Sequence, residues 1–105
     1  MKSVWIGVIA ALTLSAAVQA EDVVEGQALY QKHCAMCHGP KGLGDGPAGK
    51  ALKAANIAEE IEEHKGDEAH LIEEVMEGEG AMPAWKGVLS TQQVKNILAY
   101  IKGIQ

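Results

Sequence analysis

Apolar residues recur at Val94, Ile97, Leu98 and Ile101, the i, i+3, i+4, i+7 spacing that gathers side chains on one helix face. Ser90-Thr91-Gln92-Gln93 stands before them as a capping box, with Ser90 as the cap and Gln93 three residues on. The pattern predicts an amphipathic helix that ends near Gly103. A second stripe, Leu71, Ile72, Val75 and Met76, predicts a helix over residues 67–77. Asp67 is its N-cap, and Gly78-Glu79-Gly80 stops it. Residues 22–33 predict a further helix, with Val23, Val24, Ala28 and Tyr30 apolar and Gly26 inside it. A glycine within a helix costs about 1 kcal/mol against alanine. Either the helix tolerates Gly26, or another helix crosses there too closely for a side chain. Gly39, Pro40, Gly42, Gly44, Gly46, Pro47 and Gly49 predict a loop, and a short helix is expected over residues 49–55. No strand pattern and no internal repeat is visible.

The chain opens differently. Lys2 precedes an apolar run over residues 4–18, which ends in Val18-Gln19-Ala20. The run falls short of the about 20 residues that span a bilayer. One positive charge, a short apolar stretch and a small-residue exit predict a secretory signal peptide over residues 1–20, cleaved after Ala20. An uncleaved anchor is the alternative. The expected compartment is the periplasm, or another exported space such as the thylakoid lumen, with no stable membrane insertion after cleavage.

Residues 21–105 then form one domain, near the size at which a core of side chains alone becomes marginal. It has no Phe, and Trp5 belongs to the leader, so its aromatics are Tyr30, Trp85 and Tyr100. A disulfide, a metal or a large cofactor is needed at the centre. Beyond Ala20, eight lysines face fourteen acids, a net charge of −6 with histidines neutral. Nucleic-acid binding, which needs a basic patch, is excluded on that ground.

Cys34-Ala35-Met36-Cys37-His38 contains the only two cysteines. C-x-x-C-H is a haem-attachment spacing. Thiols three residues apart lie one helical turn apart and reach two vinyl groups on one edge of a porphyrin as thioethers. The following imidazole is then held under the iron as proximal ligand. A thioredoxin-type dithiol would want a βαβ context, which is not visible. A zinc site would want further paired ligands, and His64 and His70 are not arranged so. A plain disulfide is compatible with export. The missing aromatic core and the pattern downstream favour haem.

With these elements the chain resembles the small soluble class I c-type cytochromes, in particular the bacterial and photosynthetic single-haem types. The resemblance rests on Gly26 and Tyr30, the Cys34–His38 motif, Gly44-Asp45-Gly46-Pro47, Met82-Pro83-Ala84-Trp85, and the last helix with Tyr100. It implies an all-α class I cytochrome c fold, with three to five helices wrapped around one covalently bound haem c and its iron. It also implies that the first and last helices cross near Gly26, with Tyr100 against it.

The second axial ligand must come from the opposite face. Met36 lies inside the attachment turn and His33 abuts it. Met76 sits on an apolar helix stripe, where methionine is more often core filler. His64 and His70 remain as imidazoles. Met82 lies between Gly80 and Pro83 in an irregular segment that a proline stiffens, and the resemblance points to the same residue. The expected iron ligands are therefore His38 and Met82. By resemblance, a proline carbonyl accepts from the other nitrogen of the proximal histidine, with Pro47 the better match and Pro40 second. Trp85 either donates its indole N–H to a haem propionate or simply packs.

Filled axial positions imply a single-electron carrier, not an enzyme: a monomer that meets donor and acceptor proteins transiently. Two rivals stand beside it. One is a five-coordinate haem sensor or peroxidase-like enzyme, and the other a subunit of a larger oxidoreductase. Charge is segregated. Residues 59–79 hold ten acids against Lys65, whereas residues 80–105 hold Lys86, Lys95 and Lys102 and no acid. Lys41 and Lys86 are expected near the exposed haem edge, and the acidic stretch away from it.

Overall fold

The structure, a computed structural model, describes residues 3–8 and 20–105. The apolar run that suggested a signal peptide lies largely outside the described residues. Val4, Trp5, Ile6 and Val8 are exposed and belong to no helix or strand.

The described chain is all-α, with helical segments α1 (Val23–His33), α2 (Ala35–His38), α3 (Gly49–Leu52), α4 (Ile57–Glu63), α5 (Glu68–Glu77) and α6 (Thr91–Gly103). Six segments exceed the three to five expected, because the single turn α2 counts apart from α1 and α4 was not foreseen; the short helix expected over residues 49–55 is α3, which ends at Leu52. Among the described residues there is no strand, only an isolated bridge between Glu79 and Met82.

Local chemistry sets the helix ends. Asp22 accepts from the Glu25 amide, Asn56 from Glu59 and Asp67 from His70, each at the free N–H groups of a first turn. At α6 the capping box is complete: the Ser90 hydroxyl accepts from Gln93 N, and the Gln93 side chain accepts from Ser90 N at 2.9 Å. All four apolar residues of the α6 stripe are buried, joined by Tyr30, Leu71 and Leu89 in one core.

The most extensive packing joins α1 to α6. Gly26 is the point of closest approach, since a Cβ there would overlap the Asn96 carbonyl. Of the two readings of Gly26, the close crossing is the one observed. The Asn96 side chain, buried on α6, accepts from Asp22 N at 2.9 Å and from Gln92 Nε2 at 3.1 Å. It thereby pins the start of α1 to the other helix. Tyr100 belongs to the same crossing of α1 and α6. It lies one helical turn beyond Asn96, against Tyr30, with ring centroids 5.7 Å apart.

Tyr30 is wholly buried and donates its hydroxyl proton to the Gly39 carbonyl, which fastens the loop after α2 to α1. Burial pushes its pKa up to about 12, with the neighbouring Cys34 and Tyr100 adding to the rise. Two segments of irregular chain complete the framework. One leads from α2 through α3 to Asn56. The other runs from Gly78 to Ser90 and is held on α5 by Trp85 N to Val75 O (3.1 Å) and Lys86 N to Met76 O (3.2 Å).

Candidate haem site

The α1–α2 junction lays Cys34, Cys37 and His38 along one short stretch of backbone. The Cys34 carbonyl accepts from Cys37 N at 3.2 Å and from His38 N at 2.9 Å, so the motif is wound as one turn. That turn lines a cleft of about 650 Å³, within the roughly 300–1,000 Å³ of cofactor-sized sites. Cys34, Cys37 and His38 form one wall together with His33. The chain from Ala51 to Ala55 forms a second, and Gly80, Ala81, Met82, Pro83 and Trp85 a third. His38 is buried and Met82 half-buried, and they reach the cleft from segments more than forty residues apart.

His38 Nδ1 is 2.8 Å from the Ala55 carbonyl. A carbonyl can only accept, so Nδ1 carries the proton and Nε2 keeps a lone pair for a metal. This corrects the expectation for Pro47. Pro47 is exposed and does not line the cleft; the chain doubles back through α3 and offers Ala55 in its stead. Pro40 does not line it either. A backbone acceptor has no side-chain requirement, so Ala55 left no signal in the sequence.

The remaining candidates separate cleanly. Met36 is exposed and does not line the cleft, and Met76 packs against the core. His64 and His70 do not line the cleft, although Glu60 and Glu74, which pair with them, do. His33 lines it with its ring 5.1 Å from that of Trp85, tilted by 58°. Trp85 both lines the cleft and packs against the core, so packing and an indole donor to a bound group are compatible.

The Met82 strap is shaped by its own backbone. Glu79 N donates to Met82 O at 3.1 Å and Met82 N to Glu79 O at 2.9 Å, which closes a tight loop. Gly78 stands at its base with φ of 78°, and a Cβ there would crowd the Met82 carbonyl and the Ala84 amide. Only glycine adopts that conformation freely.

Burial raises the Cys34 thiol to about 11, with Cys37 adding to the rise. Reactive dithiols need lowered values, and burial moves Cys34 in the opposite direction. No disulfide joins the pair. The donor set fits a haem: two thiols one turn apart, an imidazole with Nε2 open, and a thioether, around a mainly apolar cleft.

One expectation fails. The acidic stretch does not lie wholly away from the cleft, because Glu60, Glu74 and Glu79 line it. Lys86 Nζ is engaged with Glu77 Oε2 at 3.1 Å, and the lysine that does line the cleft is Lys53.

Helices crossed at a glycine, a wound C-x-x-C-H turn and a methionine strap around one cleft define a small class I c-type cytochrome. The family model for cytochrome C oxidase, cbb3-type, subunit III matches residues 21–101. The chain is 33% identical over 84 residues to the Cbb3-type cytochrome c oxidase subunit FixP of Bradyrhizobium diazoefficiens, covering 79% of this chain and 28% of that protein. It is 36% identical over 85 residues to cytochrome c6 of Nostoc sp., covering 80% of this chain and 72% of that protein. It is 37% identical over 84 residues to cytochrome c6 of Anabaena variabilis, covering 78% and 91%. The chain thus spans less than a third of the FixP relative and most of these cytochromes c6. No solved structure matches it. The chain belongs to the cytochrome c family. Its cofactor is covalently bound haem c with iron.

Proposed function

We propose that the chain is a single-electron carrier whose haem is joined to Cys34 and Cys37 and ligated by His38 and Met82. One observation carries this reading: the cleft gathers both thiols, the imidazole and the Met82 thioether from distant parts of the chain. Haem c bound there supplies a one-electron ferrous/ferric couple. The residues do the rest. The Ala55 carbonyl holds the His38 tautomer and strengthens its basicity. Met82 would fill the position that a gas or peroxide needs, and the apolar residues that line the cleft would keep bulk water from the iron. Export, with residues 1–20 as signal peptide, belongs to the same reading. Among the described residues no helix is long and apolar enough to cross a membrane.

Two measurements test this. Acid–acetone extraction should leave the haem on the chain, and free extraction from the wild type contradicts attachment at Cys34 and Cys37. The ferrous protein should not bind carbon monoxide at once, because Met82 occupies the site. Rapid binding favours the five-coordinate alternative.

The family match to an oxidase subunit and the short coverage of FixP favour a second reading. In it the chain is a haem module working within a larger oxidoreductase. Gel filtration of a native extract separates the two, since a free carrier elutes at the size of the chain alone.

A further inference from the structure

On the α4–α5 side of the molecule, two histidine–glutamate pairs face each other. Glu60 and His64 are one helical turn apart, with Glu60 Oε2 3.4 Å from His64 Nε2. His70 and Glu74 repeat the spacing on α5, at 3.1 Å. The short turn through Gly66, closed by Asp67 N to His64 O at 2.8 Å, folds one helix against the other. The two imidazole rings come to 4.5 Å between centroids, tilted by 40°. Glu63 adds a third carboxylate, and the ligand atoms of Glu60, Glu63 and His64 all lie within 4.8 Å of one another. Each of these side chains except Glu63 is half-buried.

We propose that Glu60, Glu63 and His64, whose ligand atoms already lie together, form with His70, whose ring must turn to reach them, a binding site for one divalent transition cation of the zinc type, separate from the haem iron. Imidazole and carboxylate together suit zinc, and the commonest geometry is tetrahedral. Two ligand atoms about 2.1 Å from zinc at a tetrahedral angle stand about 3.4 Å apart. The Glu60–His64 pair already has that spacing as one edge. Glu74, hydrogen-bonded to His70, acts as the outer carboxylate that orients a ligating imidazole. Charge assists: residues 59–79 carry ten acids against one lysine, so a dication is drawn to this face.

The site also bears on the haem. Glu60 and Glu74 line the haem cleft. A bound dication places positive charge at its edge, which favours the ferrous state. By linkage, the reduced protein binds the cation more tightly and the cation raises the reduction potential.

Titration calorimetry of the intact holoprotein with Zn²⁺ alone tests the proposal. One ion should bind per chain. His64→Ala and His70→Ala should each weaken it about tenfold or more, since loss of even an outer partner costs roughly 10–100-fold. Glu62→Gln, which removes one exposed carboxylate from the same acidic face of α4, should leave affinity within about twofold. All three positions are outside the core, and the haem absorption spectrum reports whether each variant is folded. The absence of Zn²⁺ binding overturns the site. So does wild-type affinity in either histidine variant, or an equal loss in Glu62→Gln, which would mark unspecific attraction.

Discussion

His38 shows what a single position can and cannot reveal. Its identity and its place after Cys37 announce a proximal ligand in the sequence, because C-x-x-C-H leaves few other uses for that imidazole. Its partner carbonyl was not legible: any residue carries one, and only the path of the chain through α3 selects Ala55 over Pro47. Met82 was legible through its setting, between a glycine and a proline outside any helical stripe. Met82→His should therefore lower the reduction potential by a sizeable part of the about 0.8 V that axial ligands command. The thioether favours ferrous iron and imidazole ferric. Met76→Leu, a near volume-conserving core change, should leave it almost unmoved. Potentiometric titration of both variants checks this, and the opposite pattern would make Met76 the ligand. Tyr30 offers a stability test. Its folded pKa of about 12 exceeds the ordinary 10.0, so the unfolded chain loses this proton first as pH rises. Stability is therefore intact below pH 10 and falls between about 10 and 12, with a limiting slope of about 1.4 kcal/mol per pH unit. Denaturant unfolding at a series of alkaline pH values should show this extra slope in wild type and not in Tyr30→Phe. At neutral pH Tyr30→Phe should itself cost about 1–3 kcal/mol, because it strips the buried Gly39 carbonyl of its donor.

At the scale of elements, the helices with both a cap and a long apolar stripe were readable. α6 has the capping box and four stripe residues, and α5 has Asp67 and its own stripe. α4 was missed because only Ile57 and Ile61 mark its inner face, at one repeat of the helical spacing. Its Asn56 cap, with Glu59 and Glu60 in the first turn, was the available signal, hidden within a stretch read only for charge. Gly26 records a relation between two helices, and composition alone could not decide between tolerance and a crossing. Gly26→Ala should cost stability despite alanine's better helix propensity, by about 1–3 kcal/mol, since a Cβ meets the Asn96 backbone, which cannot turn aside. Ser90→Ala should cost about 0.5–2 kcal/mol through loss of the α6 cap. Equilibrium unfolding in guanidinium measures both. A stabilised Gly26→Ala variant would contradict the close crossing.

For the whole molecule, the need for a group at the centre followed from a small domain with few aromatics and one dense motif, and the all-α class from the helical stripes together with the resemblance to class I cytochromes. The charge map did not follow, because a run of acids says nothing of where its helices stand. Folding brings Glu60, Glu74 and Glu79 to the haem cleft with Lys53, where Lys41 and Lys86 were expected. Small redox reagents read that charge balance directly. A cationic reductant should outpace an anionic one of equal potential at low ionic strength, and the gap should close as salt screens charges over about 10 Å at 0.1 M. Glu74→Gln with Glu79→Gln should narrow the gap, and stopped-flow reduction measures it. Central to all of this is closure of the cleft by His38 on one side and Met82 on the other. The far-red absorption of the ferric protein tests it most directly, because a sulfur–iron bond adds a weak charge-transfer band there. The band should be present in wild type and in Met76→Leu, and lost in Met82→Leu. Its absence from wild type, or its survival in Met82→Leu, would contradict the His38–Met82 pair.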